Sequence, residues 1–110
     1  DDASRLVGRV VVEAGATVER STLRGPVVVG AGTRIVDSYV GPFTSIASEC
    51  VLSDTEIEYS VVLERCSVTD IPRIEGSLLG RDVVLQRTER RPAAHRFMLG
   101  DHSQVEISES

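Results

Sequence analysis

The 110-residue chain has no lysine and no tryptophan, and only 4% of its residues are aromatic. Each scarcity excludes something. A Walker-type phosphate loop depends on its lysine, so that class of nucleotide site is ruled out. A core centred on aromatic rings is ruled out as well; Val, Ile and Leu instead fill 31 of 110 positions, which favours stacked β-branched side chains. All 12 basic residues are arginine, and against 17 carboxylates they leave a net charge of −5. That balance argues against a nucleic-acid partner, because polyanion binding needs a basic face. No apolar run approaches the ~18 residues of a membrane span, and the opening DDASRLVG lacks the basic and hydrophobic parts of a signal peptide. No membrane partner is expected, and the expected compartment is the cytoplasm. The first residue is Asp1 and Met98 is the only methionine, so the chain is expected to be part of a longer polypeptide. At this length it makes one domain.

What is abundant is repetition. Leu6, Leu23, Val40, Ile57 and Ile74 stand 17 residues apart at every step. Val12, Val29, Ile46, Val62 and Leu79 form a second ladder, and Val18, Ile35, Leu52, Val68 and Leu85 a third, provided one single-residue slip is placed near position 60. Ladder members fall five or six residues apart within a period, so the unit is a hexapeptide and three units make a turn. Four residues after a ladder member comes a second column of small or apolar residues. Val10, Val27, Thr44, Val61 and Leu78 make one such column, and Ala16, Thr33, Cys50, Cys66 and Val83 another; both are expected to point inward on short strands. Eight glycines, at 8, 15, 25, 30, 32, 41, 76 and 80, follow ladder residues closely, where corners call for positive φ. This pattern predicts a wound prism of parallel strands, each turn stacked on the last at about 4.8 Å.

The prism also explains the stretch VVVGAGTRIVDSYVGPFTSI, residues 27 to 46. Gly30, Ala31, Gly32, Thr33 and Arg34 look like a phosphate cradle. A dinucleotide fingerprint would place a third glycine where Ile35 stands. VEAGATV occupies the same place one turn earlier, so the stretch reads as one corner among several.

The hexapeptide unit resembles that of left-handed β-helices. The finer pattern RGPVVVGAGTRIVDSYVGPFTSIASECVL, then IEYSVVLERCSV, RIEGSLLGRDVVL and FMLGDHSQVEI, resembles the C-terminal domain of long-form glucose-1-phosphate thymidylyltransferases over Leu6 to Ile107. The resemblance implies an all-β, single-stranded left-handed parallel β-helix of about five coils. Residues 1–85 would form the coils, and 86–110 an Arg-rich loop with short capping strands. It further implies an N-terminal nucleotidyltransferase domain, which joins deoxythymidine triphosphate to glucose 1-phosphate with release of pyrophosphate and uses Mg2+. The motif of that domain resembles GxGTRLxPxT. Gly30 to Ile35 copy its first letters and Val36, Asp37 and Ser38 break the rest, so no catalytic, cofactor-binding or metal residue is assigned here. The implied role is oligomerisation or regulation of the enzyme. A homo-oligomer is expected, with three copies as the number, and no cofactor in this segment.

Cys50 and Cys66 share an inward column one turn apart, a spacing that permits a disulfide; packed thiols are the expected state. Two cysteines and two histidines without ligand spacing do not make a zinc site. His95 and His102 are the candidate general bases for the alternative function, a hexapeptide acyltransferase moving an acetyl group from acetyl-CoA to a sugar amine. Both lie beyond the recognisable coils. Arg87, Arg90, Arg91 and Arg96 around Glu89 could grip an acidic neighbour or a nucleotide-sugar effector, although Pro92 and the loss of periodicity suit a solvated linker. Phe97, Leu99, Val105 and Ile107 alternate about a Gly100 to Ser103 turn and read as two short strands covering the last rung. The carboxylates form no close pair suited to metal or glycosidase chemistry.

Overall fold

In the computed structural model, which describes residues 3–87 and 100–101, the chain winds through five coils of three strands each. The first coil holds β1 (Arg5–Val7), β2 (Val10–Val12) and β3 (Thr17–Glu19). The second holds β4 (Thr22–Arg24), β5 (Val27–Val29) and β6 (Arg34–Val36), and the third β7 (Tyr39–Val40), β8 (Thr44–Ile46) and β9 (Val51–Ser53). The fourth contains β10 (Glu56–Glu58), β11 (Val61–Val62) and β12 (Ser67–Thr69), and the fifth β13 (Ile74–Glu75), β14 (Leu78–Leu79) and β15 (Val84–Gln86). Every third strand pairs in parallel, giving three five-stranded sheets: face A from β1, β4, β7, β10 and β13, face B from β2 to β14, and face C from β3 to β15. There is no helix among the described residues. The molecule is a parallel β-solenoid of five turns.

All three aliphatic ladders are strand partners. Leu6 pairs with Leu23, Leu23 with Val40, Val40 with Ile57 and Ile57 with Ile74. The second ladder keeps its register through the 16-residue step from Ile46 to Val62, and the third through Leu52 to Val68. Leu23, Val29, Ile35, Val40, Leu52 and Val68 are completely buried. At roughly 1.5 to 3 kcal/mol for each fully buried side chain, these columns are what offsets the cost of ordering so many turns.

One inward column differs from expectation after the slip. Val10, Val27 and Thr44 do stack, but Val61 pairs with Ser45 and is 41% exposed. Ser60 takes the inward place instead, fully enclosed, and Leu78 pairs with Val61 on the outside. The missing residue lies between Ile57 and Ser60, so side-chain alternation changes sides before Val61, not after it. The other column, Ala16, Thr33, Cys50, Cys66 and Val83, lies inward as expected.

The corners also differ. Of the eight glycines, only Gly8, Gly15, Gly32 and Gly76 have positive φ, while nine non-glycine residues among those described, including Arg20, Asp37, Phe43, Asp54 and Tyr59, adopt it. Left-handed conformation costs such residues roughly 1 to 2 kcal/mol. What it provides is a backbone bond to the coil before: Asp37 N donates to Glu19 O at 3.0 Å, Asp54 N to Val36 O at 3.1 Å and Tyr59 N to Pro42 O at 3.0 Å. Gly30 is needed for a different reason. A Cβ there would lie 2.5 Å from the Ala47 carbonyl carbon and the Ser48 nitrogen.

A polar column completes the interior. Ser21 Oγ donates to Glu19 O and accepts from Ser38 N, and Ser38 Oγ donates to Val36 O and accepts from Thr55 N. Ser4 begins this relay by accepting from Ser21 N, and Thr55 passes it to Ile71 O. No buried side-chain polar atom among the described residues lacks a partner. The sequence signal, Ser4, Ser21, Ser38 and Thr55 at intervals of 17, is visible once hydroxyls count as core.

Candidate functional site

The three faces carry different chemistry, and the difference follows from which residue of each strand points out. Face A presents Arg5, Arg24, Glu56 and Glu75 to solvent, and face C presents Arg34 with Glu19 beside it. Face B has no ionisable residue in any of its five strands. Its outward file runs Val11, Val28, Ser45, Val61 and Leu78, each the register partner of the next. Val11, Val28 and Val61 are 48%, 42% and 41% exposed. At the corner leading onto this face, Phe43 and Tyr59 stack with centroids 5.6 Å apart and 23° between planes, and both rings are largely exposed. The file was missed in the sequence, although its spacing of 17, 17, 16 and 17 matches the ladders; a valine between two core valines gives no sign that it faces out.

Charges at the corners are paired with one another. Arg20 Nε donates to Asp37 Oδ1 at 2.7 Å and Nη2 to Oδ2 at 3.2 Å, and Arg65 grips Asp82 in the same two-pronged way one corner round. These guanidinium bonds hold the Asp37 and Asp82 carboxyls below the usual carboxylate range. Glu64 is lowered first by its own backbone N–H and then by Arg81. Asp54 and Asp70 continue the Asp37 corner, and Arg87 comes to 3.9 Å of Asp70. The shallow groove on face A, lined by Tyr39, Glu56, Ile57, Glu58, Arg73 and Ile74, has its cation already bound, since Arg73 donates to Glu58 at 2.8 Å.

None of the sequence candidates forms a reactive centre among the described residues. Gly30 to Arg34 make a corner: Thr33 is buried, donating to Ala47 O at 2.7 Å and accepting from Cys50 N at 3.1 Å. Cys50 and Cys66 are free, buried thiols, with Sγ atoms 3.2 Å from Leu63 O and 2.9 Å from Gly80 O respectively. The Cys50 side chain, together with burial, pushes the Cys66 thiol above its ordinary range. No group of three or more His, Cys, Asp or Glu side chains suited to a metal occurs among the described residues. His95, His102, Arg90, Arg91, Arg96, Glu89 and the strands expected around Phe97 and Val105 lie outside the described residues. No helix of the described residues is long and apolar enough to cross a membrane.

No protein-family model matches the chain, and no solved structure matches it. A glucose-1-phosphate thymidylyltransferase of Streptomyces griseus is 52% identical over 108 residues, covering 98% of this chain and 30% of the relative. Another, from Streptomyces antibioticus, is 49% identical over 107 residues with the same 30% share. A low-salt glycan biosynthesis nucleotidyltransferase of Haloferax volcanii is 34% identical over 71 residues, 64% of this chain and 20% of that protein. The chain thus spans about a third of the length of the curated relatives it matches. With two thymidylyltransferases matching nearly its whole length, this five-turn β-solenoid is homologous to a part of the glucose-1-phosphate thymidylyltransferases.

Proposed function

We propose that this chain is the assembly module of an enzyme that joins deoxythymidine triphosphate to glucose 1-phosphate, releasing pyrophosphate, and that it gathers copies of that enzyme through face B. The reaction, with the Mg2+ it would use, belongs to a nucleotidyltransferase domain preceding this segment. The support is that the relatives sharing the whole of this chain bear that name and extend well beyond it. The observation that carries the role of the segment is the uncharged file Val11, Val28, Ser45, Val61 and Leu78 beside the Phe43–Tyr59 stack. An apolar strip on an otherwise charged surface is where protein partners sit. A flat, regular side suits a second copy of itself, and three copies around an axis close the assembly.

Val28→Glu and Val61→Glu place charge at positions already exposed, so the coil itself tolerates them. Sedimentation of the full-length enzyme is expected to show a trimer for the native protein and smaller species for both variants. A native protein that stays monomeric at high concentration contradicts the assembly role. Absence of pyrophosphate release from deoxythymidine triphosphate and glucose 1-phosphate contradicts the enzyme reading.

A further inference from the structure

Burial along the columns is uneven at the two ends of the prism. The second-coil ladder residues Leu23, Val29 and Ile35 are all at 0% exposure, and of the later ladder residues Leu85 of the fifth coil alone is half-buried while the others are enclosed. Their first-coil counterpart Leu6 is 57% exposed, and Val10, Val12 and Ala16 are only half-buried. The far end is different. Leu79 and Val83 of the fifth coil are enclosed, and Gly100 and Asp101 lie against it: a Cβ on Gly80 would meet the Gly100 Cα at 3.0 Å and the Asp101 carbonyl oxygen at 3.1 Å. The chain therefore supplies its own contact at one end and leaves the first rung of the apolar columns open at the other. A stacked-coil fold needs a cover at each end, because the terminal rung has an apolar interior with no next rung above it.

We propose that the open end of the first coil, centred on Leu6 with Val10, Val12 and Ala16, is the docking surface for the polypeptide preceding Asp1, which is the catalytic domain on the reading given above. Two observations select that occupant. The relatives that match this chain are about three times its length, so a large partner is tethered to the same backbone. The chain also enters the prism at this end, where Ser4, two residues before the exposed Leu6 in the same coil, accepts a hydrogen bond from Ser21 N of the second coil at 3.1 Å and so ties the approach to β1 to the rung beneath. A tethered partner docks at high effective concentration, so even a modest apolar patch suffices. The consequence is a fixed geometry: the catalytic domain sits on the prism axis, and face B remains clear for other copies.

The test uses the full-length enzyme carrying Leu6→Cys, with Val51→Cys as the exposed reference on face C. Native Cys50 and Cys66 are buried and stay silent. Although Leu6 is the more exposed of the two positions in this chain, maleimide is expected to label L6C roughly tenfold more slowly than V51C, since reaction at a covered site waits for local opening. Equal or faster labelling of L6C overturns the proposal. Benzoylphenylalanine at position 6, photolysed in the same enzyme, identifies the cover. A crosslink to peptides upstream of Asp1 within one polypeptide supports the proposal; one to a second copy or to residues 102–110 overturns it. An active enzyme with freely labelled L6C refutes the docking alone, whereas a full-length protein without thymidylyltransferase activity refutes the reading beneath it.

Discussion

Leu52→Ala is the perturbation whose cost the architecture fixes most tightly. Leu52 is fully buried, with Ile35 before it and Val68 after it in the third ladder, both also fully buried. The substitution removes three carbons, which at about 0.8 kcal/mol each comes to roughly 2.4 kcal/mol of lost transfer energy. The neighbouring rungs cannot close the gap, because backbone bonds from Arg34 N to Cys50 O at 2.8 Å and from Val51 N to Cys66 O at 2.9 Å hold the coils at their spacing. A cavity penalty therefore adds to the transfer cost, and the total falls at about 3 to 5 kcal/mol, the upper part of the range for such truncations. Leu6→Ala removes the same atoms from a side chain that is 57% exposed, so in the 110-residue chain it costs about 1 kcal/mol and leaves no enclosed void. Guanidinium unfolding of the 110-residue chain and its two variants measures both. Costs within 1 kcal/mol of each other would refute the argument that the columns are rigid and continuous.

Three further outcomes are expected. Ser38→Ala strips the acceptor from Thr55 N in the buried hydroxyl relay, at a cost of about 1 to 3 kcal/mol by urea denaturation; a change below 0.5 kcal/mol, on the scale of a surface substitution, would show that the relay contributes nothing. Gly30→Ala drives a Cβ into the Ala47 to Ser48 backbone and is expected to lower stability by roughly 1 to 3 kcal/mol; an unchanged melting temperature contradicts the close approach. Asp37 and Asp82 have depressed carboxyl pKa values because of Arg20 and Arg65. Their contribution is present above the unfolded carboxylate value, near pH 4, and disappears as pH falls through the lower folded value. Asp37→Asn with Asp82→Asn should therefore flatten the acid limb of the stability curve, slightly because the pairs are exposed and less so in high salt. An acid limb as steep as that of the native protein would show the pairs to be without effect.

The fold was legible because its main cost is met at a fixed interval: a rung that fails to place an aliphatic residue above the last loses that burial, so Leu6 to Ile74 keep their spacing. Position within the corner was less legible. Val61 and Val62 are identical in kind, so composition could not tell which pointed inward, and the deletion before Ser60 put the serine inside. The hydroxyl column and the left-handed corners at Asp37, Asp54 and Tyr59 escaped notice for a related reason. Ser and Asp there satisfy backbone groups or turn the chain, tasks that look like surface residues in a list of letters. The apolar file on face B has the same period as the core and is distinguished from it only by direction.

Side chains about seventeen positions apart lie on top of one another within the coil. Methyl–methyl nuclear Overhauser spectroscopy tests this stacking most directly. Cross-peaks are predicted from Leu23 to Val40, from Val40 to Ile57, and across the shortened step from Ile46 to Val62. Absence of the first two, or an Ile46 contact to Leu63 in place of Val62, would contradict the stacked solenoid and its register.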